Sequence, residues 1–104
     1  MDSGAVKRLK EKTGKELLWP YILSLLNKSP RYPNELKDLL SLEFNVSLGK
    51  ILSYVVVYKL EDEGFVKRKV DDKDKRKQMF YITPKGKKEL AYARKYFLGL
   101  SNRL

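Results

Sequence analysis

Apolar positions divide the 104-residue chain into blocks of two periodicities. In LLWPYILSLLNK they fall at 18, 19, 22, 23, 25 and 26, a spacing that suits a mostly buried helix. Pro20 is best placed in the first turn of that helix, where no backbone N–H is needed; a start near Lys15 would make it a kink instead. Two prolines in Ser29-Pro30-Arg31-Tyr32-Pro33 then stop the helix. A second helix is predicted from about Asn34 to Glu43, with Leu36, Leu39 and Leu40 on one face. Phe44-Asn45-Val46 reads as a short turn, and Ser47 as the N-cap of a third helix running from Leu48 to about Glu63 and closed by Gly64. Phe65 to Val70 and Gln78 to Ile82 are strand-like runs of β-branched and aromatic residues, joined by the polar tip DDKDKRK. Thr83-Pro84 is a capping residue followed by proline, and starts a last helix that reaches about Leu100. Residues 1–14 (MDSGAVKRLKEKTG) are basic and poor in apolar groups, so they form either a mobile arm or a loosely docked helix around Val6 and Leu9. The fold class is mainly α with a β-hairpin, in the order helix, helix, helix, hairpin, helix.

Composition narrows the chemistry. A chain this short buries only about 60–65% of its unfolded surface, so its core is thin. Cysteine and histidine are both absent, which removes disulfides, thiolates, the commonest general base and the commonest metal ligand. No Gly-rich phosphate loop, nucleophile motif or metal-ligand cluster is present, so neither enzymatic activity nor a cofactor or metal is expected. Twenty-three Lys and Arg against thirteen Asp and Glu give a net charge of +10. Such a cation is drawn to a polyanion, because neutralising DNA phosphates releases condensed counterions; the bland reading is a solvated face alone. The apolar run from Leu17 to Leu26 is about half the length a membrane span needs, and the N-terminus leads into charge rather than an apolar segment. A cytoplasmic location is expected, associated with the nucleoid if the source is prokaryotic, with no membrane partner.

The order of elements is the winged helix-turn-helix plan, with a three-helix core and a two-stranded wing. KLEDEGFV at 59–66, YITPKG at 81–86 and YILSLLNKSPRYPNELKDLL at 21–40 carry a family resemblance over about residues 17–100. On these stretches the chain resembles the PadR-like transcription regulators; its Lys- and Tyr-rich style is also similar to that of small archaeal and archaeal-virus regulators. The resemblance implies a double-stranded DNA partner and a homodimer formed through helices outside the wing domain. The expected division is a basic arm at 1–14, a winged helix-turn-helix domain at 15–83, and a dimerisation helix and tail at 84–104.

The third helix, taken as 47–63, would be the recognition helix in the major groove. Counting 100° per residue puts Leu48, Leu52, Val56 and Leu60 on a core stripe and Ser47, Lys50, Ile51, Tyr54 and Tyr58 opposite. Lys50 can donate to guanine, Ser47 to a base or phosphate, Ile51 can touch a thymine methyl, and the tyrosine hydroxyls suit phosphates. Against this, the two tyrosines can simply pack on the arm or a partner. The wing, 70–78, carries Lys73, Lys75, Arg76 and Lys77, flanked by Lys67, Arg68 and Lys69, and would lie on the backbone or in the minor groove. Asp71, Asp72 and Asp74 read as turn formers. Glu61, Asp62 and Glu63 sit where the helix macrodipole disfavours them, which suggests pairing with Lys59 or Arg68.

Trp19, Leu90, Tyr92, Tyr96, Phe97 and Leu100 are a surplus of large apolar groups and are the expected dimer interface; alternatively, Phe97 and Trp19 complete the monomer core. A small-molecule effector pocket around Trp19, Tyr92 and Tyr96 is conceivable but has no support beyond that clustering. The function expected is sequence-specific regulation of transcription, with repression as the default because steric blocking needs no extra surface. The rivals are a nonspecific architectural DNA-binding protein and a protein-interaction winged helix.

Overall fold

A computed structural model describes residues 3–74 and 76–104, with the side chains at 14–16 and of Lys50 outside that description. Among these residues the chain forms α1 (Gly4–Glu16), α2 (Leu18–Lys28), α3 (Pro33–Phe44), α4 (Lys50–Asp62), β1 (Val66–Val70), β2 (Gln78–Ile82) and α5 (Pro84–Arg103). The mainly helical winged fold expected from the sequence is the one observed.

Of the two forms expected of the N-terminal basic segment, the structure has the helix. Ser3 caps α1, its hydroxyl accepting the Val6 N–H at 3.2 Å. The helix is nevertheless loosely held, with every residue from 3 to 12 exposed. Leu17 interrupts the helical run, so Pro20 falls in the first turn of α2, where its missing N–H costs nothing. Pro33 opens α3 in the same way, and the Glu35 carboxylate accepts the Tyr32 N–H at 3.1 Å. Asn45, at φ 54°, ends α3 in the left-handed region that asparagine tolerates.

The third helix starts later than the sequence suggests. It is capped by Gly49 and begins at Lys50, so Ser47 is not its N-cap and the span 47–63 contracts to Lys50–Asp62. The segment before it alternates: Val46 is buried, Ser47 exposed, Leu48 half-buried and Gly49 exposed. Residues two apart share a face only in extended backbone, so placing Val46 and Leu48 both inward forbids a helix there. The core stripe shifts in consequence. Ser53, Val57 and Leu60 are buried and Val56 half-buried, while Leu52, expected inside, is 48% exposed. Three consecutive valines at 55–57 leave the helical phase undetermined by hydrophobicity, and Ser53 tolerates burial because its hydroxyl donates to the Gly49 carbonyl at 3.2 Å.

Phe80, Ile22, Leu23, Leu26, Leu36 and Leu40 occupy the centre of the core. Strand β2 ties it together. It pairs antiparallel with β1 in the register Val66↔Ile82 and Arg68↔Phe80, and its Phe80 exchanges two backbone bonds with Arg31 (2.8 and 3.0 Å), adding a one-residue third strand before α3. Leu90, assigned to a dimer surface from sequence, is only 4% exposed and belongs to the protomer's own core. The first half of α5 packs on α2, so position 90 is consumed before any partner arrives.

Where β2 runs into α5, the chain docks on the end of α4. Gly64 takes φ 83°, and the turn returns the Phe65 N–H to the Leu60 carbonyl at 3.0 Å. Thr83 then bridges the two segments. Its N–H donates to the Phe65 carbonyl (3.0 Å), its hydroxyl donates to the Gly64 carbonyl (2.7 Å), and the same oxygen accepts the Gly86 N–H (3.1 Å). Lys85 Nζ donates to the Glu63 carbonyl at 2.7 Å, among the carbonyls a helix end leaves free. A Cβ on Gly86 would stand 2.1 Å from the Phe65 carbonyl oxygen and 2.8 Å from Ile82 Cγ1.

A second contact fixes the wing against α4. Arg68 Nε donates to Glu61 Oε2 at 2.6 Å, a terminal guanidinium N–H donates to Glu61 Oε1, and another donates to Gln78 Oε1 at 2.8 Å. The guanidinium lies 4.9 Å from the Tyr58 ring centre and 5.6 Å from that of Phe80. Hydrogen bonding and charge from Arg68 hold the Glu61 carboxyl below the usual carboxylate range against the opposing effect of partial burial, and Glu61 raises Arg68 in turn. Of the two partners weighed for the acidic helix end, Arg68 is the one used.

Gly86→Ala should lower stability by about 3 kcal/mol, since a methyl group there overlaps backbone that cannot move alone. Thermal unfolding should show this as a midpoint lower by about 10 °C or more. Glu61→Gln should cost about 1 kcal/mol at neutral pH, the upper end for a partly exposed ion pair. Because the folded pKa of Glu61 is depressed, its contribution is complete above the unfolded value of about 4.3 and is lost as pH falls through the folded value. Urea unfolding of both proteins should therefore show a gap at neutral pH that closes in acid.

Candidate nucleic-acid interface

The outward surface of α4 is unusually apolar for an exposed helix. Ile51 is 81% exposed and Val55, a position not singled out from sequence, 41%. Tyr54 is half-buried and Tyr58 sits at 37% exposure, with their rings 6.0 Å apart. The Tyr58 ring lies 6.1 Å from Phe80 and beneath Arg68, which joins the α4 surface to the wing. Ser47 is exposed in the extended segment ahead of α4, and Lys50 opens the helix, with its side chain outside the described set.

The wing projects beside this helix. Lys67 and Lys69 are exposed on β1, and Lys73, Arg76 and Lys77 at the tip; Lys75 lies outside the described residues. Arg68 is withdrawn from the cations available to a ligand, because Glu61 and Gln78 occupy its donors. The aspartates act as turn formers. Asp71 accepts the Lys73 N–H at 2.8 Å and Asp74 the Arg76 N–H at 3.1 Å, each folding the tip locally. Asp74 also pairs with Arg76 Nε at 3.2 Å, but the Arg76 side chain remains 92% exposed. An exposed contact of this kind is weak and is readily exchanged for a phosphate.

The aromatic and aliphatic surplus divides into two places. Tyr92 (58% exposed), Tyr96 (66%), Leu98 (64%) and Leu100 (45%) lie on α5 beyond Leu90, with Phe97 half-buried beside Tyr96. Trp19 is on the other side of the problem. It packs against the core and lines an apolar groove of about 610 Å³ with Leu18, Leu48, Leu52, Val56 and Phe65, a lining that does not include Tyr92 or Tyr96. Leu52 thus faces this groove while Ile51 and Val55 do not. Among the described residues no group of acidic side chains is placed to hold a metal ion, and no helix is long and apolar enough to cross a membrane.

Comparison with known proteins agrees with this architecture. The transcriptional regulator PadR-like family matches residues 22–92, from α2 into the first half of α5. A PadR family transcriptional regulator from Eggerthella lenta DSM 2243 superposes with a TM-score of 0.80 at 18% identity, covering 94% of this chain and 87% of that one. A transcriptional regulator from Clostridium thermocellum, Cth-833, gives 0.75 at 19% identity, with 98% and 93% covered. The transcriptional regulator BldR from Sulfolobus solfataricus is 30% identical, with a TM-score of 0.65 over 96% of this chain and 70% of that one. The sequence matches no curated protein. With about two thirds of its length inside the family match, and with the helices and wing of that fold, the chain belongs to the PadR-like family of transcriptional regulators, which are DNA-binding proteins.

Proposed function

We propose that the chain is a sequence-specific double-stranded DNA-binding regulator that works as a homodimeric repressor. The N-terminal half of α4 enters the major groove, and the wing lies on the backbone or in the minor groove. The observation that supports this reading is the joining of the α4 surface to the basic wing through Arg68, Tyr58 and Phe80, which ties the two into one unit. Lys50 at the helix start suits guanine, Ser47 a base or phosphate, and the Tyr54 and Tyr58 hydroxyls phosphates. Lys73, Lys75, Arg76 and Lys77 supply phosphate contacts, and Arg76, exposed at the tip, suits a narrow minor groove. The net charge of +10 equally favours an architectural DNA-binding protein without sequence choice, so salt dependence separates the two.

Exposure on α5 beyond Leu90 supports the dimer. Tyr92, Tyr96 and Leu100 are exposed at four-residue spacing, on one face of the helix, in a molecule of 49 × 27 × 20 Å. The radius of gyration, 14.8 Å, exceeds the compact value of about 13 Å for this length, as expected of a protomer whose outer helices await a partner. A twofold axis there would set two α4 helices about 34 Å apart and call for a palindromic operator.

Fluorescence anisotropy against the DNA upstream of the chain's own gene and a scrambled duplex, at two salt concentrations, tests the reading. A preference for the upstream duplex that survives the higher salt is expected; equal affinities that collapse together would favour architectural binding. Arg76→Ala should weaken both duplexes similarly and reduce the salt slope by about 1, whereas Lys50→Ala should cost about 1–3 kcal/mol on the operator alone. Sedimentation should find a dimer for the native chain and a monomer for the Tyr92→Glu, Tyr96→Glu double variant.

A further inference from the structure

We propose that Ile51 and Val55 are a specificity-determining pair that reads the 5-methyl groups of thymines, so that each operator half-site depends on thymine at two nearby positions. The inference rests on the DNA reading above and names what that helix recognises.

The two side chains sit one turn apart at the exposed start of α4, and both point away from the groove that Leu52 and Val56 line. Leaving two β-branched apolar groups in water has no structural return in the protomer, since neither belongs to its core. On the same helix Ser53 is buried with its hydroxyl donated to the Gly49 carbonyl, and the Tyr58 ring packs beside Arg68 and Phe80. What positions 51 and 55 offer a duplex is therefore methyl surface, and among the base pairs only those with thymine present a methyl in the major groove. The pair is stiff, because branching at Cβ restricts χ1, so little rotamer freedom is lost on contact. Four residues advance about 6 Å along a helix, close to two base-pair steps of about 3.4 Å each. Two thymines one or two steps apart fit this spacing. The exposed cations at Lys67, Lys69, Lys73, Arg76 and Lys77, on the hairpin that packs against the same helix, favour a polyanion as the occupant of this apolar strip over an apolar protein face.

The test is selection of binding sites by the full-length chain from a random duplex pool, followed by replacement of each thymine in the enriched site with deoxyuridine, which removes only the methyl. Affinity should fall about fourfold at one or two positions per half-site, the fold-change that corresponds to about 0.8 kcal/mol for one buried carbon group, and stay unchanged at other thymines. In Ile51→Ala and Val55→Ala, whose parent side chains are outside the core, thermal midpoints should be preserved and the deoxyuridine penalty at the matching position should vanish. An enriched site that tolerates deoxyuridine throughout would overturn the methyl reading while leaving sequence-specific binding intact. Failure to enrich any sequence would overturn both.

Discussion

Backbone approaches backbone without an intervening side chain where Gly86 meets the Phe65 carbonyl, and the placement of everything C-terminal to α4 depends on that contact. Thr83 satisfies three hydrogen-bonding groups there at once, and Gly64 supplies the positive φ that turns the chain back over the end of α4. The direction of β1, the starting point of α5 and the docking of Leu90 on the core all follow from these few residues. Two of the three stretches that carry the family resemblance, KLEDEGFV and YITPKG, are the two sides of this one contact. Their spacing in sequence is set by the hairpin between them, and their chemistry by the need to fit together.

The wing is positioned by different means. Its strands hold each other, and β2 reaches back through Phe80 to Arg31, but its orientation against α4 depends on a cation packed beside two aromatic rings and closed by a carboxylate. Such a contact is directional in a way that hydrophobic packing is not. It holds the hairpin at a set angle to the helix beside it, so that two basic and apolar surfaces move as one body. The cost is one arginine removed from the pool of free cations.

Element order, the strands, the first-turn prolines and the Thr83 cap were legible because each depends on a local rule. Pro20, Pro33 and Thr83-Pro84 act through their own backbone geometry, whatever surrounds them. The start and phase of α4 were not legible for the opposite reason. Val46 and Leu48 alternate over too few residues to stand out, and three adjacent valines suit several phases equally. The assignment of Leu90 to a partner failed on a global property, since a single helix stripe cannot say which half of it is already covered by α2. On the outward surface of α4, Tyr54 and Tyr58 could be named as candidates from sequence, whereas Val55 required knowing which way the helix was turned. The structural role of Arg68 was visible only as one of two possible partners for an acidic helix end.

The outer edge of β1 has a further consequence. Among the described residues β1 pairs only with β2, so its other side offers N–H and C=O groups of the kind that recruit a strand from a neighbouring molecule. Lys67 and Lys69 flank the paired Arg68 in the middle of that strand, and like charge brought edge to edge repels. The same lysines that favour a nucleic acid therefore keep copies of the protein from adding to one another's sheets. Basic side chains at these positions have a use in solubility that does not depend on any ligand.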